Sequence, residues 1–321
     1  MHPDKHQKML PRSRKVKPLR AGSAQAGLLS QAVLPPRSDQ PEPTSSKPLD
    51  QQNFIHQDRG LMAENPSASR DTVLRPLSEV NHEPGAQTIS TVVRILHAIL
   101  KPLTKRDWRG QDKVPQSGGV IFVANHISNA DPLAVGQFLA FSGRWPRFLA
   151  KASVFQIPVI GRIIAACGQI PVQRGSAQSK DALIAAAEAI EQGRALVIYP
   201  EGTITYDPKL WPMKGKTGAA RLAFQTHCPV VPIGQWGAQE LMPGRKPRFP
   251  KLFPRKTLRV AVGNAVPIDD LRPKPVTAAT LDEATTRIMN AITVLVAELR
   301  QATPPAHRYD PRTDMTTGDQ Q

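Results

Sequence analysis

The sequence predicts an α/β domain in which a largely parallel central sheet is flanked by helices and preceded by an amphipathic helix. Three observations predict it. Short β-branched runs such as GVIFVAN (Gly119–Asn125) and RALVIYP (Arg194–Pro200) alternate with helical stretches such as AQSKDALIAAAEAIEQG (Ala177–Gly193), the pattern of strand–helix–strand units. The apolar runs end on turn formers or helix-start residues. Apolar residues make up 40% of the 321, enough for a sizeable core.

In chain order, residues 1–85 hold one aromatic, Phe54, many prolines and no sustained strand or helix period. Such a segment buries too little apolar surface to offset its ordering entropy, so a disordered basic, Pro-rich extension is expected. Between Thr88 and Gly110, Val92, Ile95, Leu96, Ile99, Leu100 and Leu103 recur at helical spacing with Arg94, His97, Lys101, Lys105 and Arg106 between and after them. Pro102 should end or kink this helix. An apolar stripe edged by cations and followed by Trp108 suits an interfacial helix at a membrane surface; it equally suits a helix packed on the domain.

Gly119–Asn125 then reads as a strand, and DPLAVGQFLAF as a helix with Asp131 in the N-cap region and Pro132 at the first position. RFLAK is extended, PVIGRIIAAC a short helix, GQIPVQR a strand, and the alanine-rich run closed by Gly193 a helix. RALVIYP, PVVPIGQWG and TLRVAVGNAVPI read as strands, with KTGAARLAFQTH a helix between the first two. The last helix is expected from about Thr280 to Arg300, opened by a Thr280–Glu283 capping box and burying Ile288, Ile292, Leu295 and Leu299. Residues 303–321 read as a disordered tail.

A formal charge of +16 calls for an anionic partner. At 5% aromatic content, base-stacking platforms have little to work with, and no basic recognition helix stands out, so nucleic acid is not expected. The two cysteines, Cys167 and Cys228, suggest a reducing compartment and make neither a disulfide framework nor a metal-type spacing. The basic N-terminus lacks the apolar core of a secretory signal, and no window reaches the length of a membrane span.

Four segments carry chemistry or sit where α/β folds place their sites. In NHISNAD, His126 follows a strand and Asp131 opens a helix; the turn between them can bring the carboxylate to one ring nitrogen and leave the other as a base. Taken alone, Asp131 is equally an N-cap. In GQIPVQRG, Arg174 ends a strand where a guanidinium could fork onto phosphate. In YPEGT, Glu201, Gly202 and Thr203 turn out of a strand, and Lys214 and Lys216 precede a helix beginning near Gly218, an anion-friendly arrangement. VVPIG carries no reactive group and reads as a core strand.

Together these blocks resemble the glycerophospholipid acyltransferases, and among them the 1-acyl-sn-glycerol-3-phosphate acyltransferases, over about residues 88–300. The order NHxxxxD, G-x-I-x-V-x-R, P-E-G-T and V-x-P-[IV] is matched throughout. The resemblance implies a glycerolipid-acyltransferase-like domain over 88–302, with 88–110 as its interfacial helix. It implies His126 as general base, Asp131 as its orienting partner and Arg174 as a phosphate ligand, with Glu201, Gly202 and Thr203 positioning the glycerol phosphate. No metal or cofactor is implied; acyl-CoA or acyl carrier protein would be the co-substrate, and lysophosphatidate the acceptor. An anionic membrane surface would be the other partner, with the protein peripheral on the cytoplasmic face of the cell membrane. The family often has Arg after EGT, where this chain has Ile204. Phosphate binding would then fall to Arg174 with Lys214 or Lys216, and another acceptor is a live alternative. A non-catalytic lipid-binding module on the same fold is a further one.

Overall fold

The computed structural model describes residues 74–80, 82–172, 179–246 and 249–314. Seven strands form one sheet in the order β1-β7-β6-β2-β5-β3-β4. They are β1 (Thr104–Arg109), β2 (Val120–Ala124), β3 (Pro146–Lys151), β4 (Ile170–Val172), β5 (Ala195–Ile198), β6 (Val230–Trp236) and β7 (Lys256–Val262). Every pairing is parallel except β6 with β7, so β1 and β7 run against the other five. The expectation of a largely parallel sheet holds.

β2 sits at the middle and shows why the runs are apolar throughout. A strand covered on both faces needs apolar side chains at every position. Val120, Phe122 and Ala124 join the core on one face with α1 (Ala86–Leu103) and α2 (Asp131–Phe141). Ile121 and Val123 join the other core with α5 (Ser179–Glu191), α6 (Gly218–Thr226) and α8 (Ala278–Arg300). Two shorter helices, α3 (Ala152–Phe155) and α4 (Ile160–Ala166), link β3 to β4, and α7 (Ala238–Leu241) follows β6. Among the described residues no helix is long and apolar enough to cross a membrane.

Several expectations change. The segment 88–110 is not one helix: α1 ends at Leu103, and residues 104–109 pair with β7 as an edge strand. Trp108 is therefore a core residue, 3% exposed and edge-on to Phe138 at 5.4 Å, rather than an interfacial anchor. α1 buries Ile89, Val93 and Leu100 on the domain, while Ile95 and Ile99 remain exposed. Thr277, not Thr280, caps α8: its hydroxyl accepts the Thr280 N–H at 3.2 Å. Glu283 pairs instead with Arg287 one turn on, at 2.9 Å. α8 crosses β6 so closely that a Cβ on Gly234 would lie 2.5 Å from the Leu295 Cβ, which explains the glycine inside that strand.

The ends expected to be disordered are partly docked. Residues 1–73 and 81 lie outside the described residues, but Val80 is buried and Glu83 ion-pairs with Arg147 at 3.0 Å. The reason is a buried charge: Arg144 and Arg147 are both fully buried, and a buried guanidinium needs partners. Arg147 takes Glu83 and the carbonyls of Pro84 and Cys167. Arg144 takes the carbonyls of Pro115, Gly118 and Gly193. Part of the positive charge thus serves the interior. At the other end, Arg308 donates to the Asn290 amide oxygen at 2.7 Å and the Tyr309 carbonyl accepts the Lys214 N–H at 2.9 Å. Residues 303–314 are held against the domain by these bonds, and 315–321 lie outside the described residues.

Candidate active site

The site forms at the carboxyl ends of the three central strands, β6, β2 and β5, where open α/β sheets place their ligands. As β2 leaves the sheet, Asn125 locks it to the end of β6. Its amide nitrogen donates to the Gln235 carbonyl at 3.0 Å, and its amide oxygen accepts the Gln235 N–H at 2.9 Å. Both residues are buried. His126 therefore starts from a fixed backbone.

The turn that follows is organised by one carboxylate oxygen. Asp131 Oδ2 lies 2.7 Å from His126 Nδ1 and accepts the N–H groups of Ile127 at 2.6 Å and Ser128 at 2.9 Å. Asp131 is not the helix cap: Ala130 occupies that position, and the carboxylate points back into the turn. It is wholly buried, while the His126 side chain keeps 14% exposure. A carboxylate only accepts, so Nδ1 carries the proton and Nε2 is left with its lone pair. The imidazole stacks on the Tyr199 ring, with centroids 4.3 Å apart and 19° between planes. Burial and the nearby Asp131 charge push the Tyr199 phenol well above the usual range, so it stays neutral. The ring is thus held along one edge and one face.

β5 ends beside β2 and brings in the PEGT turn. Glu201 is 1% exposed, and its oxygens accept the His126 N–H at 2.8 Å and the Met213 N–H at 3.1 Å. Burial, aided by the Asp131 charge, raises its pKa to about 8 against the pull of those two N–H donors. It serves as an internal brace, with both oxygens committed to backbone. The geometry therefore places Glu201 behind His126 rather than facing an acceptor. Gly202 has φ +71°, and a Cβ there would come within 3.1 Å of the Lys216 ammonium, so the glycine permits both the turn and the lysine above it. The Thr205 N–H returns to the His126 carbonyl at 2.8 Å.

Of the residues singled out from the sequence, His126, Asp131, Glu201, Gly202, Thr203 and Lys216 converge. Lys214 does not: its ammonium binds the Asp310 carboxylate at 2.9 Å. Arg174 lies outside the described residues. Ile204, where a cation could have stood, is buried. The sequence reading missed Tyr199 and Arg245. Arg245 donates to the Thr203 hydroxyl at 3.3 Å and stacks over Tyr206, 3.2 Å from its centroid. Its backbone carbonyl accepts from Asn129 at 3.3 Å. A loop from a distant part of the chain thus returns a guanidinium to the PEGT turn. No local pattern marks it; the only hint is the uncharged residue at 204.

Residues 105–236 match the Acyltransferase family model, a span holding the whole His126–Asp131 and PEGT constellation. A chloroplastic 1-acyl-sn-glycerol-3-phosphate acyltransferase of Brassica napus is 34% identical over 144 residues, 44% of this chain and 40% of that protein. An N-acylphosphatidylethanolamine synthase of Arabidopsis thaliana is 30% identical over 182 residues, 52% of this chain and 62% of that protein. The chain spans less than two thirds of the length of these curated relatives. The crystal structure of the 1-acyl-sn-glycerophosphate acyltransferase of Thermotoga maritima superposes with a TM-score of 0.51 at 18% identity, over 79% of this chain and 90% of that one. That likeness shows the shared fold.

Proposed function

We propose that this chain, whose residues 105–236 match the Acyltransferase family model, transfers a fatty acyl group from an acyl thioester to the sn-2 hydroxyl of 1-acyl-sn-glycerol 3-phosphate, making phosphatidic acid. The observation that carries the reading is the dyad: an imidazole whose Nδ1–H is held by a buried carboxylate at 2.7 Å and whose Nε2 is free to act. Nε2 takes the proton of the acceptor hydroxyl as its oxygen attacks the thioester carbonyl. The C–S bond breaks, the ester forms, and the proton returns from His126 to the departing thiolate. Ser128, the one Ser or Cys in NHISNAD, is buried with its hydroxyl held by the Ala238 and Met242 carbonyls, so the acyl group passes directly, without an acyl-enzyme. The donor is acyl-CoA or acyl carrier protein, and the protein works peripherally at an anionic membrane on the cytoplasmic side.

Cations for the acceptor phosphate are Lys216 over the PEGT turn, Arg245 beside Thr203, and Arg174 by the family resemblance. The test is thiol release from oleoyl-CoA on adding lysophosphatidate, wild type beside His126→Ala. Turnover that vanishes in the variant supports the reading; turnover that persists removes His126 as the base.

A second acceptor class has its own support. Ile204 leaves the position after EGT uncharged and buried, and a relative named for another acyl transfer, N-acylphosphatidylethanolamine synthesis, aligns over 52% of this chain. A panel of glycerol 3-phosphate, lysophosphatidate and other lysolipids separates the two by kcat/KM.

A further inference from the structure

The connection between α7 and β7, residues 242–255, carries no Asp or Glu, while Arg245, Lys246, Lys251 and Arg255 lie within it and Lys256 opens β7. It sorts its apolar side chains in an unusual way. Leu252 packs against the core, whereas Phe249 is 96% exposed and Phe253 79% exposed. Two whole rings in water beside a half-buried leucine call for a partner, since soluble surfaces seldom leave the largest apolar groups uncovered. The loop's Lys251–Arg255 end is tied to the domain. The Lys251 N–H donates to the Leu241 carbonyl at 2.7 Å, and Arg255 donates to the carbonyls of Lys101 and Thr104 at 3.0 and 2.8 Å.

Next to that tie is a recess of about 240 Å³ lined by Leu74, Lys101, Thr104, Lys105, Arg106 and Arg255. Four cations line it and no acid does. Aromatic wedges rimmed by lysines, with a cationic recess at their base, match the layers of an anionic bilayer, acyl chains below and phosphates above. We propose that Phe249 and Phe253, with the recess formed by Lys101, Lys105, Arg106 and Arg255, are the surface by which this protein docks on anionic phospholipid bilayers. This deepens the membrane part of the proposed function and moves the anchor from α1 as a whole to the loop before β7. The loop also touches the site: the Ser128 hydroxyl donates to the Met242 carbonyl at 2.9 Å, and Arg245 reaches Thr203. Insertion of the rings would set the PEGT turn beside the headgroups.

The test is sedimentation of the full chain with vesicles of phosphatidylcholine and phosphatidylglycerol in equal amounts, against pure phosphatidylcholine. Wild type should prefer the anionic vesicles and detach as salt is raised. Each ring lost in Phe249→Ser/Phe253→Ser should cost about tenfold in partition, and Lys101→Gln/Lys105→Gln should remove most of the preference for anionic lipid. All four side chains are exposed, so melting curves should not move. Phe249→Trp should keep binding and show quenching by brominated lipid beyond that of wild type, in which Trp108, Trp145 and Trp211 are buried and Trp236 is half-buried under Arg300. Unchanged vesicle binding in both double variants overturns the proposal. So does a wild-type dimer that the Phe→Ser pair dissociates while vesicle binding survives, since the loop then meets a second copy of the chain. Vesicle binding is read without turnover: absence of activity on every acceptor with docking intact removes the catalytic reading alone.

Discussion

Glu201 offers a sharp test because its proton links the site to stability. The unfolded side chain titrates near 4.5 and the folded one near 8. Between those values the folded protein holds a proton that the unfolded chain has released, so stability falls as pH rises through that window and levels off above it. At about 1.4 kcal/mol per unit, the whole window amounts to roughly 5 kcal/mol. Glu201→Gln removes the titration but not the volume. Its amide offers one acceptor where two backbone N–H groups, of His126 and Met213, now donate, and the unpaired one costs about 1–3 kcal/mol at any pH. Wild type should therefore be the more stable protein in acid and the less stable one above neutrality, with the two curves crossing near about pH 6. Urea denaturation followed by circular dichroism, from about pH 5 to about pH 8, reads this directly. Parallel curves would refute the reasoning, because they would mean that folded Glu201 is ionised and the brace is a charge.

Other expectations follow from the same geometry. His126→Ala should lower kcat about 10²–10⁴-fold and, by taking a partner from the buried Asp131 carboxylate, cost about 1–3 kcal/mol of stability, read by thiol release and a thermal melt. Lys216→Ala should raise the acceptor KM while Lys214→Ala leaves it near wild type, since Lys214 faces Asp310; equal effects would place both in the site. Gly234→Ala should destabilise by about 1–3 kcal/mol as α8 is pushed off β6, seen as a lower urea midpoint with an unchanged slope. Thr277→Ala should cost about 0.5–2 kcal/mol, whereas Thr280→Ala, which keeps the cap acceptor, should cost less.

Much of this protein was legible before its structure. Runs such as Val120–Ala124 are apolar at every position because their strands are covered on both faces, so they announce a buried parallel sheet. The ordered blocks around His126, Glu201 and Val230 carry the resemblance to the glycerophospholipid acyltransferases, and His126 and Asp131 could be paired because a five-residue turn can close only over a short distance. Local pattern decides such features. It could not decide what depends on neighbours far along the chain. The helical stripe at 92–103 breaks at Thr104 because β7, some 150 residues later, offers a ladder to Thr104–Arg109, and Trp108 is buried with it. Glu201 reads as a substrate ligand in sequence and becomes a brace once Met213 and His126 close on its two oxygens. Arg245 stands beside the PEGT turn, and Arg147 meets Glu83, only because the fold brings distant segments together. Alternation of side chains is a property of one strand or helix; which charge neutralises which, and which ring meets water, is a property of the packed whole.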